Sequence, residues 1–320
     1  MTISKELYSA AQVAICDCMG LQPNEKVAVI TDEPCRLIGQ AMFNVTKDFG
    51  NPVFLVEITP RRTNGEEPPP EVAELMQKMD LVLIPTSKSM THTNAKRSAQ
   101  AKGVRIATLP GVNEDMMVRC MNADYFKIAE LTNKLVELMD KTSVIRVKAP
   151  SGTDITMPVK GRKTIPSHGL FREKGKGGNL PTGEAFLAPL EGESQGVVVV
   201  DGSMSGIGMV KEPIRLVVKD GYAEEITGGA EAKKLIELLG IHGRESRNVA
   251  EFGIGTNDKA KITGIILEDE KVLGTIHIAF GDNVTMGGKV NVQSHIDGLV
   301  HKPTVWFDDK IIMEDGTLLV

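Results

Sequence analysis

Cysteine is scarce in this sequence: Cys16, Cys18, Cys35 and Cys120 are the four among 320 residues, all in the first 120 positions. That excludes a disulfide framework, and side chains two apart on a helix, as Cys16 and Cys18 would be, diverge too far to share a metal. Buried thiols are expected. No window approaches the roughly 18 consecutive apolar residues of a membrane-spanning helix, and the opening "MTISKELYSAAQVAIC" mixes acid and base within an amphipathic pattern rather than a secretory apolar run. The expectation is a cytoplasmic protein with no membrane partner. Basic excess is also missing, since the net charge is −5, so no stripe would track phosphates and nucleic acid is not an expected partner. The glycine fingerprint of dinucleotide binding is absent: "KVAVIT" is followed by "DEPCR", where Asp32 and Glu33 would repel a pyrophosphate. The glycine-rich "REKGKGGNLP" (172–181) lacks the Gly-Lys-Ser/Thr ending of a phosphate loop and reads as a flexible connection. Without a fixed period or a low-complexity tract, solenoids are excluded.

What is present is ordinary globular material, 41% apolar and 25% charged, long enough for two domains. From residue 26 to about 140 short apolar runs ("KVAVIT", "PVFLVEI", "LVLIPT", "VRIATL") alternate with stretches of helical spacing ("CRLIGQAMFNVTKDFG", "EVAELMQKM", "NAKRSAQAKG"). Strands apolar throughout imply a sheet covered on both faces, so residues 1–142 are expected to form an α/β domain with a doubly wound parallel sheet. The long amphipathic "DYFKIAELTNKLVELMDK" (124–141) closes it. Ser89, Thr91 and Thr93 in "TSKSMTHTN" either cap a helix or face a cleft, and "RRTNGEEPPP" (61–70) is a solvated loop that could cover a site. From 143 the period drops to two, with acid-Gly turns between strands, predicting a mainly antiparallel β (α+β) C-terminal domain over 143–320.

That second half carries the chemistry. "NLPTGEAFLAP" puts Glu184 at the start of an apolar strand, and "AEFGIGTN" does the same with Glu251, followed by Gly253 and Gly255. "GTIHIAFGDN" sets His277 among isoleucines, and "QSHIDGLV" places His295 and Asp297 on one strand face. With six histidines and 42 acidic residues one His-x-acid pair is expected by chance. The four segments together weigh more, because a charge on an apolar strand costs several kcal/mol unless a partner compensates it. Two glutamates, two histidines and an aspartate suit Zn²⁺, Co²⁺, Mn²⁺ or Fe²⁺.

These segments, in this order, resemble the metalloaminopeptidases of the aminopeptidase T family (peptidase M29). The resemblance implies an α/β first domain, a C-terminal metal-binding domain with two divalent metal ions (Zn, Co or Mn), a homodimer, and a small peptide or amide substrate. Carried over, the metal ligands are Glu184, Glu251, His277, His295 and Asp297, with Glu184 or Glu251 moving the proton as a bridging hydroxide attacks the peptide carbonyl. Two features depart from that family: Val284 stands where it has a tyrosine, and this chain is shorter by about one hundred residues. His168 and Arg172 are the expected substrate-binding residues in the tyrosine's absence. The main expectation is therefore a hydrolase of the aminopeptidase type. The alternative on the same scaffold is a ring-cleaving dioxygenase of the 2,5-dihydroxypyridine type, with Fe(II) held by His277, His295 and Asp297; a third is a non-catalytic metal- or peptide-binding homologue.

Overall fold

A computed structural model describes residues 2–320. The chain divides into two units, Met1–Ala129 with Gly169–Thr182, and Glu130–His168 with Gly183–Val320. The division thus crosses the chain more than once and falls within the helix Tyr125–Met139, not at 142/143.

The first unit holds a five-stranded parallel sheet in the order Val53–Ile58, Val27–Asp32, Leu81–Thr86, Arg105–Pro110, Gly177–Asn179. Val27–Asp32 and Leu81–Thr86 are buried at every position, as strands inside a helix-covered parallel sheet must be. The intervening helices are Arg36–Asp48, Pro70–Met76 and Asn94–Ala101. Thr93 is a cap, its hydroxyl accepting the Lys96 N–H at 3.3 Å, while the Thr91 hydroxyl lies 2.9 Å from those of Ser89 and Thr108 and from Asn179 Oδ1.

Two elements depart from expectation. The stretch 172–181 is not merely a flexible connection, because Gly177–Asn179 pairs with Arg105–Pro110. A Cβ at Gly177 would lie 2.0 Å from the Ile106 carbonyl oxygen, so only glycine admits that approach. A further helix, Glu114–Met121, is started by Asn113, whose Oδ1 accepts the Met116 N–H at 2.9 Å.

The second unit consists mainly of two antiparallel sheets. Eight strands run in the order Tyr222–Thr227, Ile214–Lys219, Gln195–Val200, Asp154–Pro158, Val144–Lys148, Thr304–Phe307, Lys310–Glu314, Thr317–Leu318. Seven others run Gly208–Met209, Ser203–Met204, His295–Val300, Ile276–Gly281, Val249–Gly255, Glu184–Leu187, Ile165–Ser167. One apolar core takes side chains from both sheets, among them Val147, Ile155, Val198, Phe252, Ile278 and Phe280. Among the described residues no cysteine is in a disulfide, and no helix is long and apolar enough to cross a membrane.

Candidate metal centre

Four adjacent strands of the seven-stranded sheet build the site. Their register sets Glu184 against Gly255, His277 against Gly253, Glu251 and Asp297 against Ala279, and His295 against Gly281. Residues paired directly across an antiparallel ladder leave the same face. All five ionisable residues therefore share one face, separated by glycine and alanine. The alternate positions, Ala185, Leu187, Phe252, Ile254, Ile278, Phe280 and Ile296, enter the core. Glycine at 253 is required, because a Cβ there would lie 2.1 Å from His277 Nε2.

The side chains meet in a row. His277 Nε2 lies 3.1 Å from Glu251 Oε1 and 3.6 Å from Glu184 Oε2. On the other side of Glu251, Oε2 lies 3.1 Å from His295 Nε2, which is 3.3 Å from Asp297 Oδ1. His295 Nδ1 is 2.8 Å from the Asp282 carbonyl oxygen, a bond that makes Nδ1 the donor and turns Nε2 toward the carboxylates. The Ser205 hydroxyl donates to Asp297 Oδ2 at 3.2 Å. His295 keeps 32% of its side chain accessible, so the row opens to solvent at that end.

Two residues that the sequence did not single out complete the cluster. Lys271, with 2% of its side chain accessible, places its ammonium against both Glu184 and Glu270. Its main chain is held by the hydrogen bond from Asn257 N–H to the Lys271 carbonyl, 2.9 Å. Ligand-capable atoms thus fall into two groups, each within 4.8 Å: Glu251, His295 and Asp297, and Glu184, Glu270 and His277.

Burial and neighbouring charges compete at several of these groups. Burial raises the Glu270 carboxyl to about 8, the Lys271 charge only partly opposing it while Glu184 and Asp297 add to it. Burial would lower His277, yet its hydrogen bond and charge interaction with Glu251 raise it to about 9. His295 is likewise raised against its burial, chiefly by Asp297. Asp297 is held far below the usual carboxylate range by His295, although burial pushes the other way.

The group of Glu251, His295 and Asp297 fits a divalent cation. Bonds of about 2.0–2.2 Å at tetrahedral to octahedral angles set neighbouring donors about 3.0–3.5 Å apart, and the separations here are 3.1 and 3.3 Å. In the second group the Lys271 ammonium, placed against Glu184 and Glu270, takes the position of a cation. The other expected positions are not among the grouped donors. His168 follows the strand Ile165–Ser167, in which Ser167 pairs with Glu184, and burial lowers its imidazole pKa. Arg172 falls in the other unit, its guanidinium 5.6 Å from the Phe126 ring centre. Val284 opens a short 3₁₀ turn and is 45% exposed.

Comparison with known proteins follows this geometry. The family model NicX, 2,5-dihydroxypyridine 5,6-dioxygenase, matches residues 8–320. Among solved structures, a 2,5-dihydroxypyridine dioxygenase from Pseudomonas putida KT2440 is similar at 18% identity and a TM-score of 0.82, over 98% of this chain and 97% of that one. Wild-type AmpT from Thermus thermophilus is similar at 16% identity and a TM-score of 0.73, over 100% of both chains. At such identities these structures share the fold. No curated protein matches the chain. The expectation of a hydrolase, an aminopeptidase-like protease, is overturned by the family match. With a match running from residue 8 to the last residue, this chain belongs to the NicX family of 2,5-dihydroxypyridine 5,6-dioxygenases.

Proposed function

We propose that the protein is a ring-opening dioxygenase acting on a dihydroxylated pyridine, with one Fe(II) held by Glu251, His295 and Asp297. The observation that carries the reading is the convergence of those three donors within 4.8 Å, beside a second group neutralised by a lysine. Membership of the dioxygenase family supports it. It differs from the expected triad in one ligand, since Glu251 rather than His277 joins His295 and Asp297. Bound there, Fe(II) supplies the one-electron chemistry that lets ground-state O₂ react with a closed-shell ring.

The remaining work belongs to the protein. Asp282 and Ser205 fix the orientations of His295 and Asp297. His277, whose Nε2 lies 3.1 Å from Glu251 Oε1, is placed to pass a proton toward negative charge that develops as the ring opens. Lys271 balances Glu184 and Glu270, so an electron-rich ring meets less carboxylate repulsion. The overall reaction takes one O₂ per ring, places both oxygen atoms in the product and needs no external reductant.

The test is anaerobic loading with Fe²⁺ followed by 2,5-dihydroxypyridine and air. One O₂ should be consumed per ring lost, with both atoms of ¹⁸O₂ recovered in the product. Equal O₂ uptake by metal-stripped protein, or label missing from the product, would refute the reading.

A further inference from the structure

The group of Glu184, Glu270 and His277 has the donor set of a metal site, but the Lys271 ammonium stands against both of its carboxyl groups. Its donor atoms lie within 4.8 Å of one another, as in the group proposed to hold iron. Glu184 is 5% exposed and His277 is fully buried, while Glu270 is half-buried. Glu184 Oε2 lies 3.6 Å from His277 Nε2 and, among the described residues, has no hydrogen-bond partner. Such an oxygen normally finds a donor or a cation.

We propose that the Lys271 ammonium is a built-in substitute for a second divalent cation, and that this one side chain sets the metal stoichiometry of the protein. The inference rests on the mononuclear reading above. An ammonium and a metal ion solve the same problem here: buried carboxylates need positive charge, and leaving them uncompensated costs several kcal/mol. The lysine solves it with a single charge delivered from the stretch after the short helix Ile266–Asp269, anchored by Asn257. Without the ammonium, two carboxylates and an imidazole would face an emptied volume large enough for an ion. That volume neighbours the first group, since Glu251 and Glu184 both contact His277 Nε2. Two ions would then lie near the roughly 3.5–4 Å spacing of paired metal sites.

The experiment counts metal in chelator-stripped, full-length protein reloaded with Mn²⁺, for the wild type and for Lys271→Ala, a truncation that leaves room for an ion. Wild type should hold one equivalent with the six-line spectrum of an isolated Mn²⁺. Lys271→Ala should hold two and show exchange coupling, and adding Glu270→Gln to it should return the count to one. A folded Lys271→Ala that stays at one equivalent overturns the substitution proposal while leaving the mononuclear reading intact. Two equivalents in the wild type would overturn both. None in the wild type would overturn the iron-site reading alone, and one gained by Lys271→Ala would still support the lysine's role. If Lys271→Ala is unfolded without metal, recovery of its circular dichroism and melting transition on adding Mn²⁺ supports the proposal, and failure to recover with Mn²⁺ counts against it.

Discussion

Replacing Gly253 with alanine tests whether the pleat positions the imidazole. The added Cβ would lie 2.1 Å from His277 Nε2 and 2.2 Å from Cε1, whereas ordinary contact begins at 3.4 Å, so the ring must move by about 1.3 Å or the strand must shift. Nε2 lies 3.1 Å from Glu251 Oε1, and a displacement of that size stretches the bond beyond hydrogen-bond range. Overpacking of this kind costs about 1–3 kcal/mol, and a misplacement of about 1 Å at a reacting group lowers rate by around 100-fold. The expected outcome is a melting temperature lower by a few degrees, iron content close to wild type because His277 is outside the iron group, and kcat/KM for the dihydroxypyridine reduced about 100-fold. Calorimetry, metal analysis and O₂ uptake on one preparation measure all three. Unchanged turnover in a variant whose Cβ is demonstrably present would refute the placement of His277 in the reaction.

Two further outcomes follow from the geometry. His295→Ala should lose bound iron and activity together while its circular dichroism stays native, because the residue is partly exposed and lies on the strand face that does not enter the core; unchanged iron occupancy would argue against it as a ligand. Lys96 is 7% exposed, and burial lowers its pKa to about 8 from 10.5. The unfolded chain then holds more protons than the folded one between those values, so stability should rise with pH from about 8 to 10.5. Lys96→Met should remove that rise and stabilise the protein by about 1–3 kcal/mol at pH 7, as read from urea midpoints.

The parallel sheet was legible because strands buried on both faces must be apolar throughout, and Val27–Asp32 and Leu81–Thr86 are. The five ionisable residues were legible because each breaks an apolar strand at an alternate position and sits beside glycine or alanine. Gly177–Asn179 was hidden, since glycines that admit a close backbone look the same in sequence as glycines that loosen a loop. Glu270 and Lys271 were hidden for a different reason. The run "LEDEK" looks like a solvated face, yet its carboxylates serve internal donors: Glu268 accepts the Lys261 N–H at 2.7 Å, and Asp269 accepts the Gly264 N–H at 2.9 Å. The five donors suit either chemistry, and the family match, not the donor set, separates dioxygenase from hydrolase.

The division of the strands into an apolar edge and an ionisable edge also guards the fold. A slip of one residue along Val249–Gly255 would drive Glu251 into hydrocarbon and expose Phe252, reversing every other position of that strand at once. Misregistered chains therefore lose core and centre together. The charges gathered on one face thus select, during folding, the single alignment that keeps them out of the core.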